Sequence, residues 1–316
     1  MKSAENISIA VVIPTLNREK VLTDTISSVL KLNPPPDEIL IMDQTLHHER
    51  DTEEYLRKIT DFGVRIIRLP EPGVCFARNL GAALANTDVV IYLDDDVLIK
   101  DPAFIDMHRK NYSDPAIDAV LGQILEAGRE KPGMGLSSDI PWIKFASRWE
   151  NIESFVTANV SIRRNVLLRT GGFDEGFSGR TYANEDGDLG LRLSRSGYRI
   201  VFDPSACLLH LWAPSGGNRI TGRDVFPEWT RSVTFFQFAL RHYSGWLRIW
   251  KILGVFRLIP LRKENVHKPW CLPGALAHAF YALNVAMQRH KIGFRSSLYN
   301  PGVDCLRQKF ADVNGK

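Results

Sequence analysis

Residues 89–97 read Val-Val-Ile-Tyr-Leu-Asp-Asp-Asp-Val, an apolar run that ends in three consecutive carboxylates, Asp94, Asp95 and Asp96. A short apolar run bounded by polar residues predicts a buried strand. Like charges gathered at a strand end need a neutralising partner, because an unpaired buried carboxylate is costly. A divalent cation can serve, and oxygen donors suit Mg²⁺ or Mn²⁺, which are held by one or two carboxylates together with substrate phosphates. Alone, the triplet also admits the reading of a solvated acidic turn.

Working outward, the first hundred residues alternate between strand-like and helix-like segments. Ile7 to Ile13, Glu38 to Met42, Val64 to Leu69 and Val89 to Leu93 are apolar and strand-like, while Lys20 to Leu30, Glu49 to Phe62 and Phe76 to Ala85 carry apolar residues at helical spacing. That β-α-β-α-β-α-β order predicts a mostly parallel sheet flanked by helices. In open sheets of this kind ligands bind beyond the carboxyl ends of the strands. Pro14 to Arg18 (PTLNR), Asp43 to Thr45 (DQT) and the triplet occupy those ends, so three polar clusters are expected to converge on one crevice. Neither G-x-G-x-x-G after the first strand nor G-x-x-x-x-G-K is present, which argues against a dinucleotide fingerprint and a P-loop.

Beyond Lys110 the pattern is irregular, and GREKPGMGLSSDIPW reads as a long functional loop. Thr170 to Gly179 (TGGFDEGFSG) is rich in turn residues. Asn184 to Ile200 (NEDGDLGLRLSRSGYRI) predicts a helix that stops at Gly197, with Glu185, Asp186 and Asp188 in its first turn. A helix dipole favours acids there, so a purely structural reading of the three is available.

Together, VVIPTLNRE near the start, PGVCFARNLGAALANTDVVIYLDDDV, GGFDEGF and ANEDGDLGLRLSRSGYRI resemble the inverting family 2 glycosyltransferases, over residues 7 to 212. The resemblance implies an α/β protein with the GT-A fold, a Rossmann-like mostly parallel sheet flanked by helices. It also implies transfer of a sugar from a nucleotide-diphosphate sugar to an acceptor hydroxyl, with inversion and with Mg²⁺ or Mn²⁺. Carried over by position, Pro14, Thr15, Asn17, Arg18, Asp43, Arg78, Asn79, Asp94 and Asp95 fall at the nucleotide sugar, and Asp94 and Asp96 hold the metal. Glu185 and Asp186 form the acidic pair whose aspartate is the base, with Asp188 a competitor for that role. Asn159, Arg163, Arg164, Gly172, Phe173 and Asp174 fall around the sugar or acceptor pocket. Many members carry two acids and Gly-Ser after the second strand, where this chain has Asp43-Gln44-Thr45-Leu46. That departure bears on the donor base, for which UDP and dTDP come first and GDP remains open. His210 reads either as a metal or diphosphate ligand or as a structural histidine. Trp212 reads either as a sugar-stacking ring or as a core aromatic.

The expected organisation is a nucleotide-sugar half (1–110), an acceptor half (111–230) of the same domain, and a basic helical extension (231–316). Of the chain's 316 residues, the extension holds 14 Lys or Arg against three acids, and the net charge of +4 therefore leaves the remainder at −7. Ser232 to Ile259 reads as one amphipathic helix with Arg241, Arg248, Lys251 and Arg262 in a basic stripe, the pattern expected at an anionic membrane surface. The uncharged run Pro269 to Gln288 reads as an interfacial or core-packed helix starting near Pro273, with Leu276, Phe280, Leu283 and Met287 on one face. In the competing reading both helices pack on the catalytic domain. A membrane-bound tail would make a lipid-linked sugar or glycan the natural acceptor.

Met1 followed by the polar KSAEN, and four cysteines without C-x-x-C spacing, predict a cytoplasmic protein at the inner face of the membrane, with free thiols and no structural zinc. No nucleic-acid-binding motif accompanies the basic charge, so nucleic acid is not expected as a partner. Two other readings compete with the transferase. One is a sugar nucleotidyltransferase, which would want a Gly-rich basic loop where PTLNRE stands. The other is a non-catalytic nucleotide-sugar or membrane-binding module.

Overall fold

A computed structural model describes residues 7–127, 152–177, 183–217, 228–258, 267–299 and 308. The loop expected at GREKPGMGLSSDIPW, together with Gly179, Arg262 and Cys305, lies outside the described residues.

The first half follows the alternation of its apolar segments. β1 (Ile9–Thr15), α1 (Lys20–Leu30), β2 (Glu38–Asp43), α2 (Arg50–Ile59), β3 (Arg65–Arg68), α3 (Val74–Leu84) and β4 (Val89–Leu93) succeed one another. β5 (Val97–Leu98), α4 (Phe104–Asn111), β6 (Ile117–Glu126), β7 (Asn159–Arg163), α5 (Arg164–Thr170), α6 (Glu185–Arg195) and β8 (Arg199–His210) complete the α/β body. Among the described residues one eight-stranded sheet forms in the order β3-β2-β1-β4-β7-β6-β8-β5. β1, β2, β3 and β4 are mutually parallel, as are β6 and β8, while β7 runs antiparallel to both of its neighbours and β5 to β8. β1, β2 and β4 are buried nearly throughout, as expected of strands with helices on both faces. Odd positions of β1 (Ile9, Val11, Ile13) enter one core and even positions (Ala10, Val12) the other.

Parallel register places Thr15 opposite Asp43, so the loops after β1 and β2 emerge side by side. The pairing of β5 with β8 sets Val97 opposite His210, which returns the chain to the acidic triplet from a position more than a hundred residues downstream. Thr25 of α1 holds the backbone of the triplet: its hydroxyl donates to the Val97 carbonyl at 2.8 Å and accepts from the Val97 N–H at 3.1 Å.

Asn159 is a brace within this sheet. It is fully buried, its amide donates to the carbonyls of Gln123 (3.0 Å) and Ala206 (2.9 Å), and its oxygen meets His108 Nε2 at 3.0 Å. These partners span the irregularity where β6 shifts register on β8 between Gly122 and Gln123. Gly122 is needed there, since a Cβ would stand 2.3 Å from both the Ala206 carbonyl and the Asn159 amide. Asn159, expected around the sugar or acceptor pocket, is engaged in this brace. Arg163 and Arg164, expected around the same pocket, are engaged with backbone carbonyls. Arg163 donates to the carbonyls of Ile117, Tyr112 and Asp114, and Arg164 to those of Ala82 and Ala83.

The segment read as one basic helix is two. α7 (Glu228–His242) and α8 (Gly245–Leu258) break at Gly245, whose φ of +52° lies in the left-handed region that favours glycine. α9 (Leu272–Ile292) follows, starting beside Pro273 as expected. Val233, Phe236 and Leu240 of α7, Val255 of α8 and Ala282 and Ala286 of α9 form a third core. The alanines let α9 approach α7 closely. Leu276 and Leu283 are half-buried, whereas Phe280 and Met287 are exposed. No helix among the described residues is long and apolar enough to cross a membrane.

Arg241 does not belong to an outward stripe. It turns inward and pairs with Asp174 and, at 3.1 Å, with Asp188, both fully buried. Asp188 also accepts from Arg192 Nε and His242 Nε2, each at 2.8 Å. Burial alone would raise the Asp188 carboxyl, but Arg192, His242 and Arg241 outweigh it and hold it well below the usual range. Asp188 is thus a structural anion that ties α6 to α7, and it does not compete for the role of base. Removing one member of a buried ion cluster costs about 3–5 kcal/mol because its partners stay buried and uncompensated. Asp188→Ala is therefore expected to lower the free energy of unfolding by that amount in urea titration and to expose α7 to protease, whereas a surface acid such as Asp51→Ala changes neither.

Candidate active site

The crevice at the carboxyl ends of β1, β2 and β4 is lined from four directions. The loop after β1 supplies Arg18, the triplet follows β4, α3 supplies Arg78, and the start of α6 supplies Glu185 and Asp186.

The three triplet carboxylates face different partners. Asp95 turns inward: Thr15 Oγ1 donates to its Oδ2 at 2.8 Å, and Arg18 Nε lies 3.3 Å from its Oδ1. Burial, opposed by Arg18 and aided by Asp96, pushes its pKa up to about 7. Asp96 Oδ2 accepts from Arg18 (3.3 Å) and from the Ala213 N–H (2.9 Å), which leaves Oδ1 toward His210 Nε2 at 3.4 Å. Asp94, the most exposed of the three, meets the same His210 nitrogen at 3.5 Å and Arg78 at 3.5 Å. Burial works to raise the Asp94 carboxyl, but the His210 hydrogen bond and the Arg78 charge outweigh it and hold it low.

One ligand atom each from Asp94, Asp96 and His210 lies within 4.8 Å of the others, a group that could hold a metal ion. Two carboxylates and an imidazole are donors that Mn²⁺ accepts readily and Mg²⁺ accepts through its oxygens. Nδ1 of His210 accepts from the Trp212 N–H at 3.1 Å, so the ring proton sits on Nε2, between the two carboxylates. Ligation by Nε2 therefore requires that proton to shift to Nδ1 and the Trp212 bond to open, whereas the carboxylates need no change.

Arg78 links the triplet to α6. It is nearly buried, reaches Asp94 at 3.5 Å and Glu185 at 3.1 Å, and lies over the Phe173 ring at 5.3 Å. Glu185 is raised by burial against the opposing charge of Arg78. Asp186, the next residue, is half-buried, and its Oδ1 accepts from the Gly187 N–H at 2.7 Å. Burial first, and the neighbouring Glu185 second, push its pKa up to about 7. Asn184, which sequence reasoning passed over, precedes the pair in the left-handed region at φ +69°, with its amide buried. Polar residues tolerated at positive φ are the one local signal for such a position.

The remaining expected residues take supporting places. Pro14 is buried at the end of β1, and Asn17, exposed at φ +52°, crests the loop with its N–H on Thr45 Oγ1 at 2.8 Å. Gly216 packs over that loop, where a Cβ would stand 2.3 Å from the Asn17 carbonyl and 2.7 Å from Arg18, and Arg18 also donates to the Ser215 carbonyl. Asp43 is fully enclosed by His48 (3.0 Å), Arg68 (2.5 Å) and the Thr45 N–H (2.9 Å), and His48 continues to Glu19 at 3.1 Å. Nothing in the local pattern marked His48 or Arg68 as its partners. Asn79 bonds both backbone groups of Phe173, at 2.8 and 2.9 Å. A Cβ on Gly172, whose φ is +59°, would stand 2.4 Å from the Asn79 carbonyl oxygen. Phe173 packs edge-on against Tyr92, and Asp174 pairs with Arg241. Asn79, Gly172, Phe173 and Asp174, expected around the nucleotide sugar or acceptor, thus form a buried support beneath Arg78. Trp212 is 52% exposed beside the His210 ring, so it is not a core aromatic.

Arg78→Met is expected to cost about 3–5 kcal/mol by leaving Asp94 and Glu185 uncompensated. Because Arg78 opposes the rise at Asp186, the same variant moves the ionisation of Asp186 upward, a shift that carboxyl-carbon NMR titration reads directly.

Residues 10–175 match the model of the family described as "Glycosyl transferase family 2". "Probable glycosyltransferase YdaM" of Bacillus subtilis (strain 168) is 26% identical over 211 residues, which cover 63% of this chain and 49% of that protein. "Glucosyl-dolichyl phosphate glucuronosyltransferase" of Haloferax volcanii is 24% identical over 220 residues, 65% of this chain and 68% of the relative. The chain's match thus spans about half the length of the first of these relatives. Among solved structures, "Mannosyltransferase PcManGT from Pyrobaculum calidifontis in complex with GDP-Man and Mn2+" superposes with a TM-score of 0.54 at 16% identity, covering 100% of this chain and 83% of that one. At that identity the likeness concerns the fold, which is GT-A.

Proposed function

The chain belongs to glycosyl transferase family 2, and from that premise we propose that it is an inverting, metal-dependent glycosyltransferase that moves a sugar from a nucleoside-diphosphate sugar to an acceptor hydroxyl. The observation that carries this reading is the arrangement of charge around Arg78. Arg78 pairs with Asp94, one of the carboxylates suited to a cation, and with Glu185, the neighbour of a half-buried aspartate whose pKa is raised.

In the proposed displacement the acceptor oxygen bonds to the anomeric carbon. The bond from that carbon to the diphosphate oxygen breaks, and the diphosphate leaves with the electron pair. Mg²⁺ or Mn²⁺ held by Asp94 and Asp96, with His210 as a third donor, would stabilise the leaving diphosphate as a Lewis acid. Arg18, which binds Asp95 and Asp96, fixes the direction of the triplet. Asp186 takes the acceptor proton, and a pKa near 7 suits a base working near neutrality. A base, rather than a nucleophile, at this position gives one displacement and hence inversion. Pro14, Thr15, Asn17 and Arg18 lie where the loop after β1 would meet the nucleotide, and exposed Trp212 stands where a sugar ring could stack. Asp43 acts on the nucleotide only through the loop it braces. The Haloferax relative, whose name specifies a lipid-linked sugar, supports a lipid-linked glycan as acceptor, and the exposed aromatic tail supports a peripheral position at the membrane.

Thermal stabilisation by UDP, dTDP, GDP or CDP is expected to require Mn²⁺ or Mg²⁺ for one base and to vanish in Asp96→Ala; no shift with any nucleotide in the wild type would remove the donor site. With the active donor, Asp186→Asn is expected to retain nucleotide binding and lose about 10²–10⁴-fold in turnover. Since the base acts ionised, kcat/KM should fall as pH drops below about 7 and level off above it. A product anomer of the same configuration as the donor would overturn the single-displacement mechanism.

A further inference from the structure

α8 presents an apolar stripe to solvent. At about 100° per residue Trp246, Ile249, Trp250, Leu253 and Arg257 fall within roughly 100° of one another, and the first four are 69%, 46%, 58% and 52% exposed. Val255 and Ile252, away from the stripe, pack into the third core, and Phe256 joins them from its margin. α9 adds exposed Phe280 and Met287, and its surface adjoins that of α8 where the rings of Phe280 and Phe256 meet at 5.0 Å. An apolar surface of this extent on a folded protein marks an interaction site.

The charge around it selects the occupant. α8 contains Arg248, Lys251 and Arg257, and α9 contains Arg289 and Lys291, with no acid on either helix. Arg257 sits within the stripe and Lys291 shares the face of Phe280 and Met287 on α9, whereas Arg248 and Lys251 turn to the other side of α8, where Arg248 donates to the Tyr243 carbonyl and Lys251 lies over the Tyr243 ring. Tryptophans on an apolar face with arginine and lysine at its margin suit the headgroup region of an anionic bilayer. The body, at −7, is repelled by the same surface, which leaves the tail as the face that approaches it.

We infer that α8 and α9 form a docking surface for an anionic lipid bilayer, with the apolar stripe entering the interface and Arg257 and Lys291 meeting headgroups. This deepens the peripheral position proposed above and replaces the basic stripe through Arg241 with an apolar one through Trp246 and Trp250. Arg241, inside the protein, instead fixes α7 and with it the angle at which α8 and α9 are held.

Flotation of the full chain with phosphatidylcholine vesicles, with and without about one-third phosphatidylglycerol, tests it. Binding is expected to the anionic vesicles, with a blue shift of tryptophan emission. Trp246→Glu/Trp250→Glu should lose about tenfold or more of it, and Arg257→Glu/Lys291→Glu roughly fivefold per charge. Thermal midpoint and nucleotide-dependent stabilisation should stay at wild-type values in both variants, which separates failure of the surface from failure of the donor site. Equal flotation of wild type and the tryptophan variant, or no flotation at all, overturns the inference. So does a wild-type dimer that the tryptophan variant turns into a monomer without any vesicle binding, since the face is then covered by a second copy.

Discussion

The crevice is held together by one guanidinium placed between two acidic elements that are distant in sequence. Asp94 follows the fourth strand and Glu185 opens the sixth helix, and each would repel the other at the range at which both meet Arg78. Without the cation, like charges in a poorly hydrated crevice would force one element away or one carboxyl to stay protonated. With it, the strand end and the helix start are held at a set distance. Asp186, next to Glu185, inherits its position from that pairing. Phe173 under the Arg78 plane, held in turn by Asn79 and Tyr92, keeps the guanidinium from swinging out.

A second cation extends the arrangement outward. Arg241 bridges Asp174, one residue beyond Phe173, and Asp188, two residues beyond Asp186. The support beneath Arg78 and the helix that carries the acidic pair are therefore joined through a residue of the C-terminal extension. Arg295 adds its backbone N–H to Asp174, and Ser297 adds its N–H and hydroxyl to Glu175. The extension is thus part of the scaffold on its inner side, while its outer side is left to meet something else. Of the two readings offered by the sequence, packing is seen on the inner face of these helices, and membrane contact is proposed for the outer one.

Particular residues show what was legible and what was not. The parallel half of the sheet, the convergence of the PTLNR loop with the triplet, and the glutamate-aspartate helix start could be read because each is a local pattern placed by a rule about strand ends. Asn159 could not, since its function as a brace arises from a register shift between β6 and β8 that no periodicity records. Asp43 stood at a predicted strand end, yet the partners that enclose it, His48 and Arg68, come from a loop and a neighbouring strand. Arg241 shares a helical face with Arg248 by angle alone, and the break at Gly245 separates them. In each case the missing information is which side chains meet across elements.

The acids of the site illustrate how one residue type is put to several uses. Asp94 and Asp188 are held low by cations and remain ionised through the neutral range, one facing a candidate metal position and the other locking helices. Asp95 and Asp186 are raised to about 7 by burial, but their surroundings differ. Asp95 is closed in by Thr15 and Arg18. Asp186 is half-buried and accepts from the adjacent Gly187 N–H, which leaves it the more open of the two. Separating the pKa values of neighbouring carboxyls is how a site assigns acid and base roles. Here the separation runs through Arg78, which meets the ionised Asp94 directly and touches Asp186 only through Glu185. In the proposed mechanism the group that serves as a charge sits against the cation, and the group proposed to take up a proton sits one residue away from it.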